Sequence, residues 1–276
     1  MSALPGLGPL LADSLLAAVL TGGRDGLLLL DYDGTLAPFT ARRDQARPYP
    51  GVVETLVRLP SRGSGRFTVV SGREAGEVAR LLAPARPADI WGCHGAQRLL
   101  ADGSREDPVL SPPLAQALDE AFVLASRTAP PEAVERKPVS LAVHWRGREA
   151  AAARDLARRI GDVWRPLAES AGLRLHAFDG GVELRVPGWD KGRPVRAYLR
   201  DVPDTALFYL GDDLTDEDAF RALGPAGIGV LVRAERRATA ARYGITPPEE
   251  LLALLTAWAD ALGAGEPQPG RSHAFL

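Results

Sequence analysis

The chain has 276 residues and carries 33 basic against 35 acidic side chains, which gives a net charge of −2. Its 46% of hydrophobic and 25% of charged residues are typical of a globular protein, and they exclude a collagen and a coiled coil. Charges so close to balance produce no broad positive field, so we expect neither a nucleic acid nor an anionic membrane as a partner.

The single cysteine, Cys93, excludes an intramolecular disulfide and a cysteine-based zinc site, and it fits a reducing, cytoplasmic location. The apolar residues 1–20 carry no basic residue ahead of the apolar run and contain Asp13, so they predict an amphipathic helix rather than a signal peptide. No uninterrupted apolar segment approaches the roughly 18–20 residues that span a bilayer, so we expect a soluble protein.

Short apolar runs alternate with helical patterns along the chain. Runs of four or five apolar residues bounded by Gly or Asp predict strands buried on both faces, which is typical of a parallel sheet. The strand patterns lie at residues 26–31, 66–71, 88–93, 205–212 and 227–232, and the helical patterns at 51–59, 73–82, 192–201 and 217–223. The sequence therefore predicts an α/β fold with a Rossmann-like, doubly wound parallel sheet, whose ligands bind beyond the carboxyl ends of the strands.

The stretch between Ser71 and Lys191 spans 120 positions, far more than the roughly 30 residues of a simple βαβ unit. It contains two segments, 138–146 and 173–187, that alternate like half-exposed antiparallel strands, and a long helical pattern at 150–170. We therefore expect a second, α+β domain inserted into the first.

The predicted boundaries place the core domain at residues 1–101 and 185–262 and the inserted α+β domain at residues 102–184. Residues 263–276 show no periodicity, so we expect a disordered tail there.

The first strand ends in the motif DYDGT, in which Asp31 follows four leucines and Asp33 lies two residues further on. A carboxylate at the end of a buried strand is held rigidly and partly desolvated, so it can serve as a metal ligand and as a nucleophile. Gly34 then allows the backbone to turn closely around an anion. Asp is also common in ordinary turns, but the apolar prefix and the DGT continuation favour a functional role.

Ser71 ends the second strand in the motif SGR, where its hydroxyl can donate to a phosphoryl oxygen beside a helix N-terminus; the alternative is a simple N-cap.

Lys191 stands at the predicted start of a helix, where a cation is unfavourable unless an anion binds nearby. Among the 33 basic residues only Lys137 and Lys191 are lysine. Either a coding bias left these two, or each fills a tight site that rejects the broader guanidinium.

The fourth motif, GDDLTDEDAF, places Asp212 and Asp213 at the end of another apolar strand. Gathered with the carboxylates of the first motif, they would repel one another and need a divalent cation, and hard oxygen ligands favour Mg²⁺ over Zn²⁺. Residues 215–218 also fit a capping box at a helix start, so the role of Asp216 stays open between function and structure.

These four motifs, in this order, resemble the haloacid dehalogenase (HAD) superfamily of phosphotransferases. The longer spellings DYDGTLAP, ERKPVSLAVHWR, VELRVPGWDKG and GDDLTDEDAF are similar to the trehalose-6-phosphate phosphatase family over about residues 25–232. The resemblance to that family depends chiefly on the fourth motif and on Glu135 and Lys137 followed by His144, Trp145 and Arg146.

The resemblance implies a role for each residue of the core motifs. Asp31 would attack the phosphorus in line and form an aspartyl phosphate, while Asp33 would protonate the departing sugar oxygen and later deprotonate water. Ser71 and Lys191 would hold the phosphoryl oxygens. Mg²⁺ would be bound by Asp31, the Asp33 carbonyl oxygen and Asp212, with support from Asp213.

In this family the inserted domain is a cap that closes over the disaccharide. The resemblance implies that Glu135, Lys137 and Glu183 hydrogen-bond the sugar hydroxyls. Further substrate contacts are expected at Gly34, Thr35, Gly72, Arg73 and His94.

The implied activity is the Mg²⁺-dependent hydrolysis of trehalose 6-phosphate to trehalose and phosphate, in trehalose biosynthesis, with a trehalose-phosphate synthase as a functional partner. Two alternatives stay open. The first is a HAD phosphatase for another sugar phosphate, such as sucrose phosphate or mannosyl-3-phosphoglycerate. The second is a domain that binds a sugar phosphate without catalysis.

Overall fold

The computed structural model describes residues 4–40, 45–178, 180–235 and 237–263. An eight-stranded sheet in the order β12-β11-β10-β1-β2-β3-β4-β5 forms the core. All neighbours from β12 to β3 are parallel, and β4 and β5 complete one edge as antiparallel strands. The strands are β1 (Gly26–Leu30), β2 (Phe67–Val70), β3 (Asp89–Gly92), β4 (Gln97–Leu100), β5 (Arg105–Glu106), β10 (Ala206–Gly211), β11 (Gly227–Val232) and β12 (Tyr243–Ile245).

Helices cover both faces of this sheet, because alternate residues of each strand point to opposite sides. Leu28 and Leu30 belong to one hydrophobic cluster, with helices α1 to α4 and α9, whereas Leu27 and Leu29 belong to the cluster packed by α7 and α8. These helices are α1 (Leu7–Leu11), α2 (Ser14–Leu20), α3 (Val52–Val57), α4 (Ala75–Leu82), α7 (Gly192–Asp201), α8 (Glu217–Leu223) and α9 (Glu249–Leu262). The predicted doubly wound α/β fold is confirmed.

The N-terminal region forms two short helices where one was predicted. The side chain of Asp13 accepts a hydrogen bond from the backbone N–H of Leu15 and caps the start of α2, so the chain breaks between α1 and α2. None of the helices in the described ranges combines the length and apolarity needed to cross a membrane.

A second, four-stranded antiparallel sheet in the order β6-β7-β9-β8 forms the inserted unit, which we call the cap. Two long helices pack on it around a separate hydrophobic cluster that includes Trp164 and Leu184. The cap elements are α5 (Pro112–Thr128), β6 (Val134–Lys137), β7 (Ser140–His144), α6 (Ala150–Ala171), β8 (Arg174–Phe178) and β9 (Gly181–Arg185).

The predicted start of the inserted unit, residue 102, is too early. Strand β5 pairs antiparallel with β4, so residues 105 and 106 belong to the core sheet. The turn before it, in which the Asp102 side chain accepts a hydrogen bond from the Ser104 backbone, resembles a linker in sequence but closes a hairpin. Strand β9 ends one residue past the predicted end at 184. The predicted tail, except for Gly263, lies outside the described residues.

Candidate active site

Three predicted site residues meet at one edge of the core sheet. Strands β10, β1 and β2 are parallel neighbours, and Asp212, Asp31 and Ser71 directly follow their carboxyl ends. All three side chains are buried, which a polar group tolerates only when it has partners.

Lys191, the residue before α7, reaches this edge from the other half of the core. Its Nζ donates to Oδ1 of Asp31 at 2.7 Å and to Oδ1 of Asp216 at 2.8 Å, and its side chain is 4% exposed. Burial raises the pKa of Asp31 to about 7, while Lys191 acts in the opposite direction. The carboxylates Asp216 and Asp31 outweigh burial and raise the pKa of Lys191, so the ammonium keeps its charge.

The structure resolves the open role of Asp216 in favour of a buried anchor. Its Oδ1 accepts from Lys191 and, at 2.7 Å, from the hydroxyl of Tyr209. Its Oδ2 accepts from the backbone N–H groups of Asp212 and Asp213 at 3.1 and 2.9 Å. Asp216 therefore holds Lys191 and the loop of Asp212 and Asp213 in fixed relation to each other.

The capping box lies at Asp213 and Asp216 rather than at the predicted residues 215–218. A short 3₁₀ turn, Leu214–Asp216, precedes α8, so the chain enters helical geometry before the predicted position. Asp213 caps this turn by accepting a hydrogen bond from the backbone N–H of Leu214 at 2.7 Å.

Asp31, Asp212 and Asp216 form a buried acidic triad whose oxygen atoms lie within 4.8 Å of one another. Oδ1 of Asp212 is buried and has no hydrogen-bond partner among the described residues. Burial, together with the neighbouring Asp31 and Asp216, raises the pKa of Asp212 well above its usual value. With all three carboxylates ionised, the single ammonium of Lys191 would leave two negative charges, which a divalent cation bound beside the triad would balance.

Gly34 makes room for this triad. Its φ is +87°, and a Cβ built there would lie 2.0 Å from Oδ2 of Asp212. Only glycine satisfies both the left-handed backbone and the close approach of the carboxylate. Thr35, fully buried next to it, has its hydroxyl 3.4 Å from Oδ2 of Asp31.

Arg73 lies behind the site rather than in it. Its guanidinium is fully buried and pairs with both oxygens of Asp33, at 2.8 and 2.6 Å, whereas the side chain of Asp33 is 30% exposed. The sequence-based expectation that Arg73 contacts substrate is therefore not supported by its position, because its side chain has no exposed surface and Asp33, not Arg73, belongs to the described cavity lining.

Ser71 is not the N-cap of the following helix, since α4 begins after Glu74. The Ser71 hydroxyl oxygen accepts a hydrogen bond from the Arg73 backbone at 3.1 Å, and its carbonyl oxygen accepts one from the backbone N–H of His94 at 2.9 Å.

Cys93 and His94 both have positive φ, 49° and 55°, which is costly for residues with a side chain. This backbone turns the His94 ring toward Gly72, where a Cβ would lie 2.7 Å from it.

The cap contributes a second buried network. Oε1 of Glu183 accepts from Lys137 at 3.2 Å and from Ser140 at 2.7 Å, and Oε2 accepts from Nε of Arg185 at 2.6 Å. Although burial acts in the opposite direction, the cations of Lys137 and Arg185 lower the pKa of Glu183 well below its usual value. Glu183 is therefore a fixed anion on the cap.

His94 is the core residue that meets this network. Its Nε2 lies 3.4 Å from the Arg185 guanidinium and 3.5 Å from Glu183, and its Nδ1 is buried without a partner among the described residues. Burial and Arg185 lower its pKa well below the usual value, so the ring is neutral. Glu135, at the cap sheet edge, contacts His144 at 2.8 Å.

One cavity between core and cap brings together most of the predicted residues. Its lining includes Asp31, Asp33, Gly72, His94, Lys137, Glu183, Lys191 and Asp213, and also Phe39, Thr40, His144, Arg146, Phe178, Arg185 and Thr215. Gly34 and Asp212 line an adjoining cavity. The described lining of these two cavities does not include Thr35, Ser71, Arg73 and Glu135.

The trehalose-phosphatase family model matches residues 29–248, which include every residue of the candidate site described above. The chain belongs to the trehalose-phosphatase family. A trehalose-phosphate phosphatase of Mycobacterium marinum (strain ATCC BAA-535 / M) is 34% identical over 252 residues, which cover 82% of this chain and 61% of that protein. The chain thus spans about three fifths of the length of this relative.

Solved structures of the family share the fold. The C-terminal domain of a trehalose-6-phosphate phosphatase from C. albicans superposes with a TM-score of 0.77 at 21% identity, over 94% of this chain and 99% of that one. A phosphatase of the HAD superfamily, BT1666 from Bacteroides thetaiotaomicron, superposes with a TM-score of 0.60 at 18% identity, over 85% and 95% of the two chains. At these identities the likeness shows the fold alone, and it agrees with the predicted HAD-like core.

Arg185 and Tyr209 are among the residues of the candidate site that sequence reasoning missed. Arg185 follows Glu183 by two positions on the same strand, and that spacing places both side chains on one face. Tyr209 lies inside an apolar strand, where a hydroxyl signals the need for a buried partner. Both signals are present in the sequence, but the identity of each partner depends on contacts over long distances in the chain.

Proposed function

We propose that this protein hydrolyses trehalose 6-phosphate to trehalose and inorganic phosphate, with Asp31 as the nucleophile. The observation that carries the proposal is the pairing of Asp31 with Lys191 at 2.7 Å in a cavity that Lys137 and Glu183 of the cap also line. Asp31 and the ammonium of Lys191 suit a phosphoryl group, and the polar groups of the cap suit a sugar, so together they match the chemistry of a sugar phosphate.

In the first step a carboxylate oxygen of Asp31 forms a bond to phosphorus while the bond from phosphorus to the sugar O6 breaks. Asp33, which lines the same cavity, gives its proton to the departing oxygen, so that trehalose leaves as the neutral alcohol. Lys191 offsets the negative charge of the phosphoryl oxygens, and the Ser71 hydroxyl, at the end of the neighbouring strand, donates to one of them. The product is an aspartyl phosphate on Asp31.

In the second step water attacks the phosphorus of that acyl phosphate. The ionised Asp33 takes a proton from the water, the bond between phosphorus and the Asp31 oxygen breaks, and inorganic phosphate leaves. Both carboxyl groups return to their starting states. The cap, closed over the cavity, limits bulk water during the first step.

Mg²⁺ is the cofactor that the buried triad fits best, since all of the donors are hard oxygen atoms. Asp31, Asp212 and the carbonyl oxygen of Asp33 would hold it, and Asp213 would orient the loop. Asp216 has both oxygens engaged by other groups, so it would act as a support and not as a ligand. When bound, the ion supplies charge neutralisation at the phosphoryl group.

Sugar recognition is assigned to the cap. Lys137 and Glu183, with Glu135 at the sheet edge, offer charged donors and acceptors suited to an uncharged, polyhydroxylated ligand. His94 adds a neutral ring nitrogen, Nδ1, that is buried and unpartnered among the described residues. A sugar hydroxyl that hydrogen-bonds to these groups strengthens substrate binding. An analogue without that hydroxyl leaves a buried polar group of the protein unsatisfied.

We further propose a cytoplasmic setting in which a trehalose-phosphate synthase supplies the substrate. The support is compositional: the chain has a single cysteine, the buried Cys93, and therefore no disulfide framework of the kind common in secreted proteins.

The test is phosphate release from trehalose 6-phosphate, sucrose 6-phosphate, mannosyl-3-phosphoglycerate and glucose 6-phosphate, each with Mg²⁺ and with excess chelator. Strong preference for trehalose 6-phosphate, loss of turnover with chelator, and a loss of about 10³-fold or more in Asp31→Asn would support the proposal. Preference for another sugar would keep the phosphatase chemistry and refute the substrate. No release from any ester, with binding retained, would favour the non-catalytic alternative.

A further inference from the structure

Arg73 and Asp33 form an asymmetric pair. The guanidinium is fully buried, whereas the carboxylate it holds is 30% exposed and lines the cavity. Nε of Arg73 donates to Oδ2 of Asp33 at 2.8 Å, and Nη2 donates to Oδ1 at 2.6 Å. Two parallel hydrogen bonds fix the plane of a carboxylate as well as its position.

Other contacts hold the guanidinium independently of Asp33. Its remaining nitrogen, Nη1, donates to Glu77 one helical turn further on in α4. The ring of Tyr32 lies under it, with Cζ of Arg73 5.3 Å from the ring centre. The Arg73 carbonyl accepts from Cys93 at 2.7 Å, which ties this segment to the loop of His94. Arg73 is therefore the fixed partner and Asp33 the one that can move.

From this geometry we infer that Arg73 is a positioning residue for proton transfer by Asp33 and does not touch the substrate. The inference rests on the proposed function, in which Asp33 passes a proton to the leaving oxygen as the bond from phosphorus to that oxygen breaks. The Asp33 oxygen that carries the proton gives up its place as an acceptor, while the other oxygen stays bound to Arg73. The carboxyl group thus remains aimed at the leaving oxygen.

A direct contact with the phosphoryl group would require a different arrangement. The Arg73 side chain has no exposed surface and is not part of the described lining of either cavity, and its three nitrogen atoms donate to Asp33 and Glu77. Lys191, by contrast, lines the cavity and faces Asp31. Phosphate binding and acid positioning are therefore divided between Lys191 and Arg73.

The experiment separates a proton-transfer role from a binding role by changing the leaving group. Trehalose 6-phosphate releases an alcohol that needs a proton, whereas p-nitrophenyl phosphate releases a phenolate that does not. First-turnover rates and KM are measured for both esters in wild type, Arg73→Lys and Asp33→Asn. A lysine keeps the charge but loses the paired geometry. Arg80→Lys, an exposed change on α4, the helix that follows Arg73, is the matched control.

We expect Arg73→Lys to lower the first-turnover rate on trehalose 6-phosphate by about 10²-fold and on p-nitrophenyl phosphate by less than about threefold, with KM little changed. Arg73→Lys combined with Asp33→Asn should lose no more than Asp33→Asn alone, because one residue acts through the other. Losses by the same factor on both esters, or additive losses in the double variant, would overturn the inference.

Two further outcomes are separable. Thermal unfolding shows whether Arg73→Lys is folded. If it is not, the same comparison is made with Arg73→Gln, which keeps N–H donors without the charge, and the same criteria apply. If wild type hydrolyses p-nitrophenyl phosphate and glucose 6-phosphate but not trehalose 6-phosphate, the proposed substrate is refuted. Glucose 6-phosphate, also an alkyl ester, then takes its place in the test of Arg73.

Discussion

Lys191 donates a 2.7 Å hydrogen bond to Asp31 although 160 positions separate them in the chain. The contact joins the first strand of the core to the first helix after the cap. Both groups are buried, so each charge depends on the other.

Replacing Lys191 with Met should destabilise the fold by about 3–5 kcal/mol and abolish turnover, because it leaves Asp31 and Asp216 buried without their cation. Urea unfolding followed by circular dichroism measures the change. Lys191→Arg should not restore activity, since a guanidinium is too broad for a cavity shaped around a compact ammonium. Full activity in Lys191→Arg would contradict the assignment.

Mg²⁺ should raise the thermal midpoint of the wild-type protein, because a ligand that binds only the folded state stabilises it. At about 100 times its Kd, the ion should add about 2.7 kcal/mol. Asp212→Asn should lose this response, since it removes a donor with a buried, unpaired oxygen. Asp204→Asn, an exposed change on the core, is the control and should keep it. Equal midpoint shifts in both variants would rule out Asp212 as a ligand of the metal.

Lys137→Ala should raise KM for trehalose 6-phosphate by about 10²-fold and leave hydrolysis of p-nitrophenyl phosphate within about twofold of wild type, since only the disaccharide reaches the cap. Arg136→Ala changes the neighbouring, exposed residue on the same strand and serves as the control. Steady-state kinetics on the two esters measures both effects. A parallel loss on both would mean that Lys137 supports the core and not the sugar.

Glu183 links stability to pH. Its folded-state pKa lies below that of an unfolded glutamate, about 4.3, so its ionisation stabilises the folded state above that pH. The stabilisation is lost as the pH falls through the lower, folded-state pKa. The difference in unfolding free energy between wild type and Glu183→Gln should therefore be largest near pH 7 and shrink below about pH 4. Urea unfolding at the two pH values would refute this if the difference stayed constant.

The strand ends were predictable because their signals are local. Four leucines before Asp31 and an apolar run before Asp212 indicate buried parallel strands, and parallel strands bring their carboxyl ends to one edge. The same reasoning found the cap from the change in periodicity. It placed the cap's start too early because the turn at Asp102 has the composition of a linker.

The roles of Arg73 and Asp216 could not be read in this way. Each is decided by a partner that the fold supplies: Asp33 lies 40 positions from Arg73, and Lys191 lies 25 positions from Asp216. The helix-start pattern in the sequence explains why Asp216 caps a helix. It does not reveal that the same carboxylate also holds Lys191. Pairwise contacts over such separations have no periodic signature in a single sequence.

Asp216 accepts four hydrogen bonds, and the loss of these bonds would affect the result of a saturation-mutagenesis survey of this protein. Asp216 is not part of the described cavity lining, yet its variants would be inactive nearly as often as variants of the nucleophile, Asp31. Even Asp216→Asn would fail, because an amide replaces one acceptor with a donor beside groups that already donate. Sensitivity to substitution would thus be as high for residues that support the site as for residues that react with the substrate. Only kinetic measurements on the variants would distinguish the two groups.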